Sequence, residues 1–164
     1  MKTLTQCLLL LTSLGAAAVQ SGPAENSAAT RLLSRLNGIR VAGVVCPGSG
    51  ARAPAEALIP SALHSAAAAR QADYMAGSGV VSHTGPDGSS PRVRALKSGI
   101  RSVSVSEIIY LGNGLNPEKA MQWWLHSPVH CSVMTDPRYT TAGASVVQGS
   151  QGSAYVIVLT SDPQ

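Results

Sequence analysis

The chain has 164 residues and a formal charge of +4, from 12 lysines and arginines against 8 aspartates and glutamates, with no phenylalanine. The basic side chains, among them Arg31, Arg35, Arg40, Arg52, Arg70, Arg92, Arg94, Lys97 and Arg101, are scattered without interleaved aromatics, which excludes the dense cationic groove of a nucleic-acid binder. No apolar run reaches the roughly 20 residues that cross a bilayer, so no membrane span is expected.

Residues 1–18 read as a secretory signal peptide: Lys2 gives a positive start, Leu8 to Leu11 with Leu14 form the apolar run, and Ala16-Ala17-Ala18 supplies small residues for cleavage. The product is expected to be secreted or periplasmic and to act as a monomer, with residues 19–27 a flexible tail and 28–164 one domain. Cys7 lies inside the apolar run, so two cysteines remain, Cys46 and Cys131. In an oxidising compartment an even pair most simply forms one disulfide. The competing readings are a metal-thiolate pair and a nucleophilic Cys131 beside His130.

After Asn26 and Ser27, both good caps, Leu32, Leu33, Leu36 and Ile39 recur at helical spacing until Gly43. Residues 46–55, rich in Gly and Pro, read as a loop. A second helix opens at Pro60, carries Leu63, Ala66, Ala67, Tyr74 and Met75, and stops at Gly77; His64, on this helix, reads as a surface residue. The stretch "SGVVSHTGPDGSSP" is a turn-rich loop holding His83. A short helix over 91–97 follows, closed by Gly99.

In "RSVSVSEIIYLG" the period drops to two, and Val103, Val105, Glu107 and Ile109 share one face. A carboxylate on an apolar face costs several kcal/mol unless it is paired, hydrogen-bonded or bound to a cation, so Glu107 demands a partner. A register slipped by one would instead put it in water. Asn116 and Pro117 start another helix with Ala120, Met121 and Trp124 inward, and Ser127-Pro128 caps the next, with His130 and Cys131 in its first turn. Two strands, 143–147 and 154–160, joined by "QGSQGS" close the chain. Helices, a strand, helices and a hairpin predict an α+β domain.

The segments "SHTGPDGSSPRVRALKSG", the glutamate of "SEIIYLG" and "WWLHSPVHCSVM", in this order between about Leu32 and Leu159, resemble the CAP superfamily. This family, also called the SCP domain, includes cysteine-rich secretory proteins, antigen 5 and plant pathogenesis-related proteins; "SPVHC" with the earlier Cys46 looks like its exported bacterial branch. The resemblance implies a three-layer α-β-α sandwich with a small antiparallel sheet and a cleft lined by histidines and glutamates, where several members bind a divalent metal such as zinc. His83 matches the first family histidine, Glu107 the glutamate of the Glu-Asn-Ile motif and His130 the second histidine. His126 falls at a variable position and reads as solvent-facing.

Two departures stand out. Ile108 and Ile109 replace the Asn-Ile that usually follows the glutamate, and Ser127, a further candidate cleft residue, stands where some members carry a second glutamate. The remaining two imidazoles and one carboxylate suit zinc with an open position. A hydrolase would want a further acid or base, which Glu25, Glu56 and Glu118 do not obviously supply. The expected function is therefore an extracytoplasmic binding or interaction module whose cleft takes a divalent metal or ligand. A metal-assisted peptidase or esterase, and a structural module with a metal-free polar cleft, are the alternatives.

Overall fold

A computed structural model describes residues 22–161 apart from Val103. The signal peptide read over 1–18 lies outside the described residues, as does Val103 in the alternating strand.

Helix α1 (Pro23–Ala42) buries Ala28, Leu32, Leu36 and Ile39, one stripe at three- and four-residue spacing, and ends where Gly43 turns to φ 74°. It starts earlier than the caps suggested, so residues 23–27 are helix rather than tail. Gly22 is the cap, Pro23 suits the first position, and Glu25 accepts from the Gly22 amide at 2.6 Å and from the Gln148 amide at 2.7 Å. The Gly/Pro-rich loop contains a hairpin of β1 (Val44–Cys46) and β2 (Gly50–Arg52).

Pro60 does not open the second helix. It belongs to β3 (Ile59–Pro60), which pairs in parallel with Thr141 and Ala142, and α2 (Ala62–Ser78) begins after Ser61. This phase turns Leu63 and Ala66 outward and puts His64, Ala67, Ala68, Gln71, Ala72, Met75 and Ala76 inside. The alanines let the helix lie close on the sheet. A Cβ at Gly143 would come within 2.2 Å of the Ser65 nitrogen, and one at Gly149 within 2.3 Å of the Ala76 oxygen, so glycine is required at both contacts.

Helix α3 (Pro91–Lys97), strand β4 (Val105–Gly112), α4 (Pro117–Leu125) and α5 (Pro128–Met134) follow, then β5 (Thr141–Gly149) and β6 (Gly152–Thr160). The main sheet runs β3-β5-β6-β4; β6 pairs antiparallel with both neighbours, and only the two-residue β3 contact is parallel. Its faces sort by alternation. Ile108, Ala144, Val146, Tyr155, Ile157 and Leu159 pack against α1 and α4, whereas Ile109, Val147, Ala154, Val156 and Val158 pack against α2 and α3. The result is the α+β three-layer sandwich, with helices on both faces of one twisted sheet.

A single disulfide, Cys46–Cys131, joins β1 to α5 across 85 residues of sequence, with Cα atoms 5.7 Å apart. It leaves Cys131 neither a nucleophile nor a metal thiolate. Arg40 adds a second tie on the same side. Its guanidinium is almost wholly buried and donates to the carbonyls of Glu56, Met134, Asp136 and Tyr139 at 2.9–3.0 Å. Together they fix the position of α5, the helix that carries His130.

A histidine pair around a buried arginine

Glu107 falls on the sheet face that α2 and α3 cover, in register with Val158 and beside Ile109. Its side chain is 0% exposed and has two partners: Nη2 of Arg94 donates to Oε2 at 2.7 Å, and Nδ1 of His83 to Oε1 at 2.9 Å. Arg94, 3% exposed in its side chain, does more than neutralise the carboxylate. Both its terminal nitrogens reach the His83 carbonyl at 3.1 Å, and Nη1 also reaches the Ser89 carbonyl at 2.7 Å. The turn-rich loop is thus wrapped around one guanidinium, and the Gln71 amide on α2 donates to the Ser82 carbonyl just before His83. His83 is gripped through its main chain and its ring together.

Arg94 is the site residue that reading the sequence missed, having been counted among scattered surface charges. A signal was available. A carboxylate on an apolar face calls for a cation, and Arg94 sits on a one-sided helix in the segment before the strand.

His130 reaches the site from the other layer. Ser127 stands at the N-cap position of α5, and its Oγ, instead of bonding a backbone amide there, lies 2.7 Å from Nδ1 of His130 one turn on. Trp123 packs against the imidazole with ring centroids 4.9 Å apart. Burial first, and the charge of His83 second, hold His130 below the ordinary histidine pKa. Both effects favour the neutral ring, the form with lone-pair electrons to offer. Trp124 anchors this layer by donating its indole N–H to the Ile109 carbonyl at 2.9 Å.

Each imidazole is thus pinned through Nδ1, by Glu107 or by Ser127, and Nε2 is the nitrogen left for a ligand. The His83 side chain is half exposed, so the pair is reachable. Among the described residues, no three His, Cys, Asp or Glu side chains stand close enough together to hold one metal ion. The Glu107 carboxylate has both oxygens engaged, one by a buried guanidinium and the other by an imidazole.

The other histidines divide. His126 is exposed, as read, and its Nδ1 meets the Gln122 carbonyl at 2.7 Å where α4 ends. His64 is not a surface residue. It is 5% exposed, and its Nε2 shares a 2.8 Å hydrogen bond with Thr160 Oγ1, because α2 is rotated onto the sheet by the close approach at Gly143.

Comparison with known proteins agrees with this architecture. No curated protein matches the sequence. Among solved structures, the chain is similar to an extracellular SCP-domain protein from Bacillus anthracis (TM-score 0.70, 16% identity, 88% of this chain and 45% of that one). It is also similar to an outer surface protein from Borrelia burgdorferi (TM-score 0.70, 17% identity, 84% and 94%) and to the venom allergen-like protein 4 of Schistosoma mansoni (TM-score 0.53, 12% identity, 88% and 92%). At these identities the likeness shows a shared fold, and the chain spans less than half of the Bacillus protein. The model of the cysteine-rich secretory protein family matches residues 33–160, most of the chain and all of the loop, strand and helix that carry His83, Glu107 and His130, and the protein belongs to this CAP family.

Proposed function

We propose that this CAP-domain chain is an exported binding module whose cleft takes its ligand on Nε2 of His83 and His130. The observation that carries the reading is the pinning of both rings through Nδ1, at 2.9 Å on Glu107 and 2.7 Å on Ser127. Imidazoles oriented by a second hydrogen bond are the usual arrangement for ligation: the bond sets the ring direction at both histidines and, where the partner is the Glu107 carboxylate, the tautomer as well. A divalent metal such as zinc would be held by the two imidazoles, and it would supply Lewis acidity there. Export is supported by the extracellular and outer-surface relatives and by the disulfide.

Calorimetry with zinc at pH 7.5 on the wild type, His83→Ala and His130→Ala tests the metal form of this reading. Heat and thermal stabilisation in the wild type, lost in both variants, are expected. Their absence in the wild type would sink it and leave an organic or protein ligand for the pair.

One observation favours a second reading, a hydrolase of peptide or ester bonds. The Glu107–His83 pair is a carboxylate-oriented imidazole, the arrangement of a general base. Background rates that are identical for wild type and Glu107→Ala across a mixed peptide and ester screen would remove it.

A further inference from the structure

A row of aromatic rings ends at His130. Tyr155 stands 5.8 Å from Tyr110, Tyr110 stands 5.9 Å from Trp123, and Trp123 stands 4.9 Å from the His130 ring. The inner end is fixed, since Tyr155 is buried and donates its hydroxyl to the Gly114 carbonyl at 2.7 Å. Tyr110 lies over Gly112, where a Cβ would strike its ring at 2.7 Å, so the bare glycine leaves room for the ring. Consecutive helical residues point about 100° apart. While Trp124 enters the core, Trp123 therefore lies along the surface, 50% exposed.

In front of these rings opens a shallow depression of about 360 Å³ lined by Tyr110, Lys119, Gln122, Trp123 and His126. An indole half in water and held from both sides is costly to expose, and its neighbours are planar or cationic polar groups rather than aliphatic ones. A partner that covers it needs an apolar flat face edged by hydroxyl or amide groups. No carboxylate lines the depression, and Lys119 does, so the partner is not a cation. The shape is an open shelf rather than an enclosed pocket, which suits a length of polymer. We propose that Trp123 and Tyr110 form a glycan-binding shelf, on which a pyranose ring of a neutral or anionic saccharide stacks while Gln122, His126 and Lys119 hydrogen-bond its substituents. Trp123 also touches the His130 ring, so a bound strand that overran the shelf at that end would meet this histidine.

Tryptophan emission reads this directly, because Trp124 is sealed in the core and Trp123 carries the solvent-exposed signal. Full-length mature protein is titrated with chitotetraose as the neutral probe and a short oligogalacturonate as the anionic one. A saturable blue shift with reduced acrylamide quenching is expected for at least one of them. Affinity should fall by about tenfold or more in Trp123→Ala and be largely kept in Trp123→Tyr, since the stacked face accounts for most of the contact. Because Trp123→Ala also unpacks His130, Gln122→Ala and Lys119→Ala are measured beside it by calorimetry, with several-fold weakening expected in the former for either sugar and in the latter for the anionic one. Binding of neither probe, or binding that Trp123→Ala leaves unchanged, overturns the proposal. Zinc uptake by the histidine pair is a separate property and does not enter this test.

Discussion

Arg94 Nη2 stands 2.7 Å from Glu107 Oε2 with both side chains out of water, and the same guanidinium holds the main chain of His83. The carboxylate that orients one imidazole is thus itself held by a residue that also sets where that imidazole begins. Arg94 is a positioning residue for the histidine pair.

Removing Arg94 should therefore cost more than an ordinary surface substitution. Arg94→Met leaves a buried carboxylate without its cation, and breaking such a pair costs about 3–5 kcal/mol. The double variant Arg94→Met/Glu107→Leu should recover much of that loss, because an apolar replacement of the whole pair leaves no orphaned charge. Urea melts of the four proteins of the cycle give the coupling directly. Additive losses would show that the pair is not coupled. A positioning role further predicts that the double variant, though folded, binds ligand at the cleft more weakly than the wild type.

Local rules were sufficient where one residue's chemistry dictates the outcome. Pro91, Pro117 and Pro128 each begin a helix as read, and Glu107 falls on the apolar face that period-two alternation indicated, the register being settled by its pairing with Val158. Reading failed where a second element decides. The phase of α2 depends on Gly143 and Gly149 letting the helix descend onto β5, a contact between residues about 80 apart that no window around His64 contains. The helical start at Pro23 is stabilised in part by Gln148 donating to Glu25, again from the far end of the chain. Arg40 and Arg94 look like every other arginine in composition, and only the carbonyls and carboxylate gathered around them distinguish them.

Arg40 should prove as costly to remove as Arg94, for a different reason. Its partners are four backbone carbonyls, three of them from residues 134–139, at and just after the end of α5. Arg40→Met would leave these acceptors short of a donor in a region water reaches poorly, at about 1–3 kcal/mol for each group that finds no replacement. We expect a loss of roughly 3 kcal/mol or more and increased amide exchange over 134–140. A loss below about 1 kcal/mol, within the range of a surface change, would show that water replaces the guanidinium.

The disulfide closes a loop long enough for its removal to register strongly. With a sequence separation of 85 residues, the chain-entropy model gives about 4–5 kcal/mol. Cys46→Ser/Cys131→Ser should lose stability on this scale, and the loss should appear mostly as an easier global melt, since both cysteines are buried. Peptide mapping without reductant should yield Cys46 linked to Cys131. Two free thiols in protein matured in an oxidising compartment would contradict the pairing.

His64 gives the fold a pH dependence of definite sign. Burial holds its pKa below the ordinary histidine value, so the folded chain favours the neutral ring while the unfolded chain protonates near pH 6.5. Below that pH the unfolded state binds more protons than the folded one. The stability contributed by the neutral ring is therefore fully present above about pH 6.5 and is lost as pH falls through the folded-state value. Nδ1 is buried without a hydrogen-bond partner, so a proton added there would meet no acceptor, while Nε2 is engaged with Thr160. Thermal melts from pH 7.5 down to 5.0 should show a falling midpoint, and His64→Gln, which keeps a hydrogen-bonding group near Thr160 but does not titrate, should flatten the curve. His130 shifts in the same direction and leaves a residual slope in that variant, which His64→Gln/His130→Gln should remove. A midpoint that rises on acidification, or a slope unchanged in the double variant, would mean that carboxylates rather than the buried histidines govern the acid side of the stability curve.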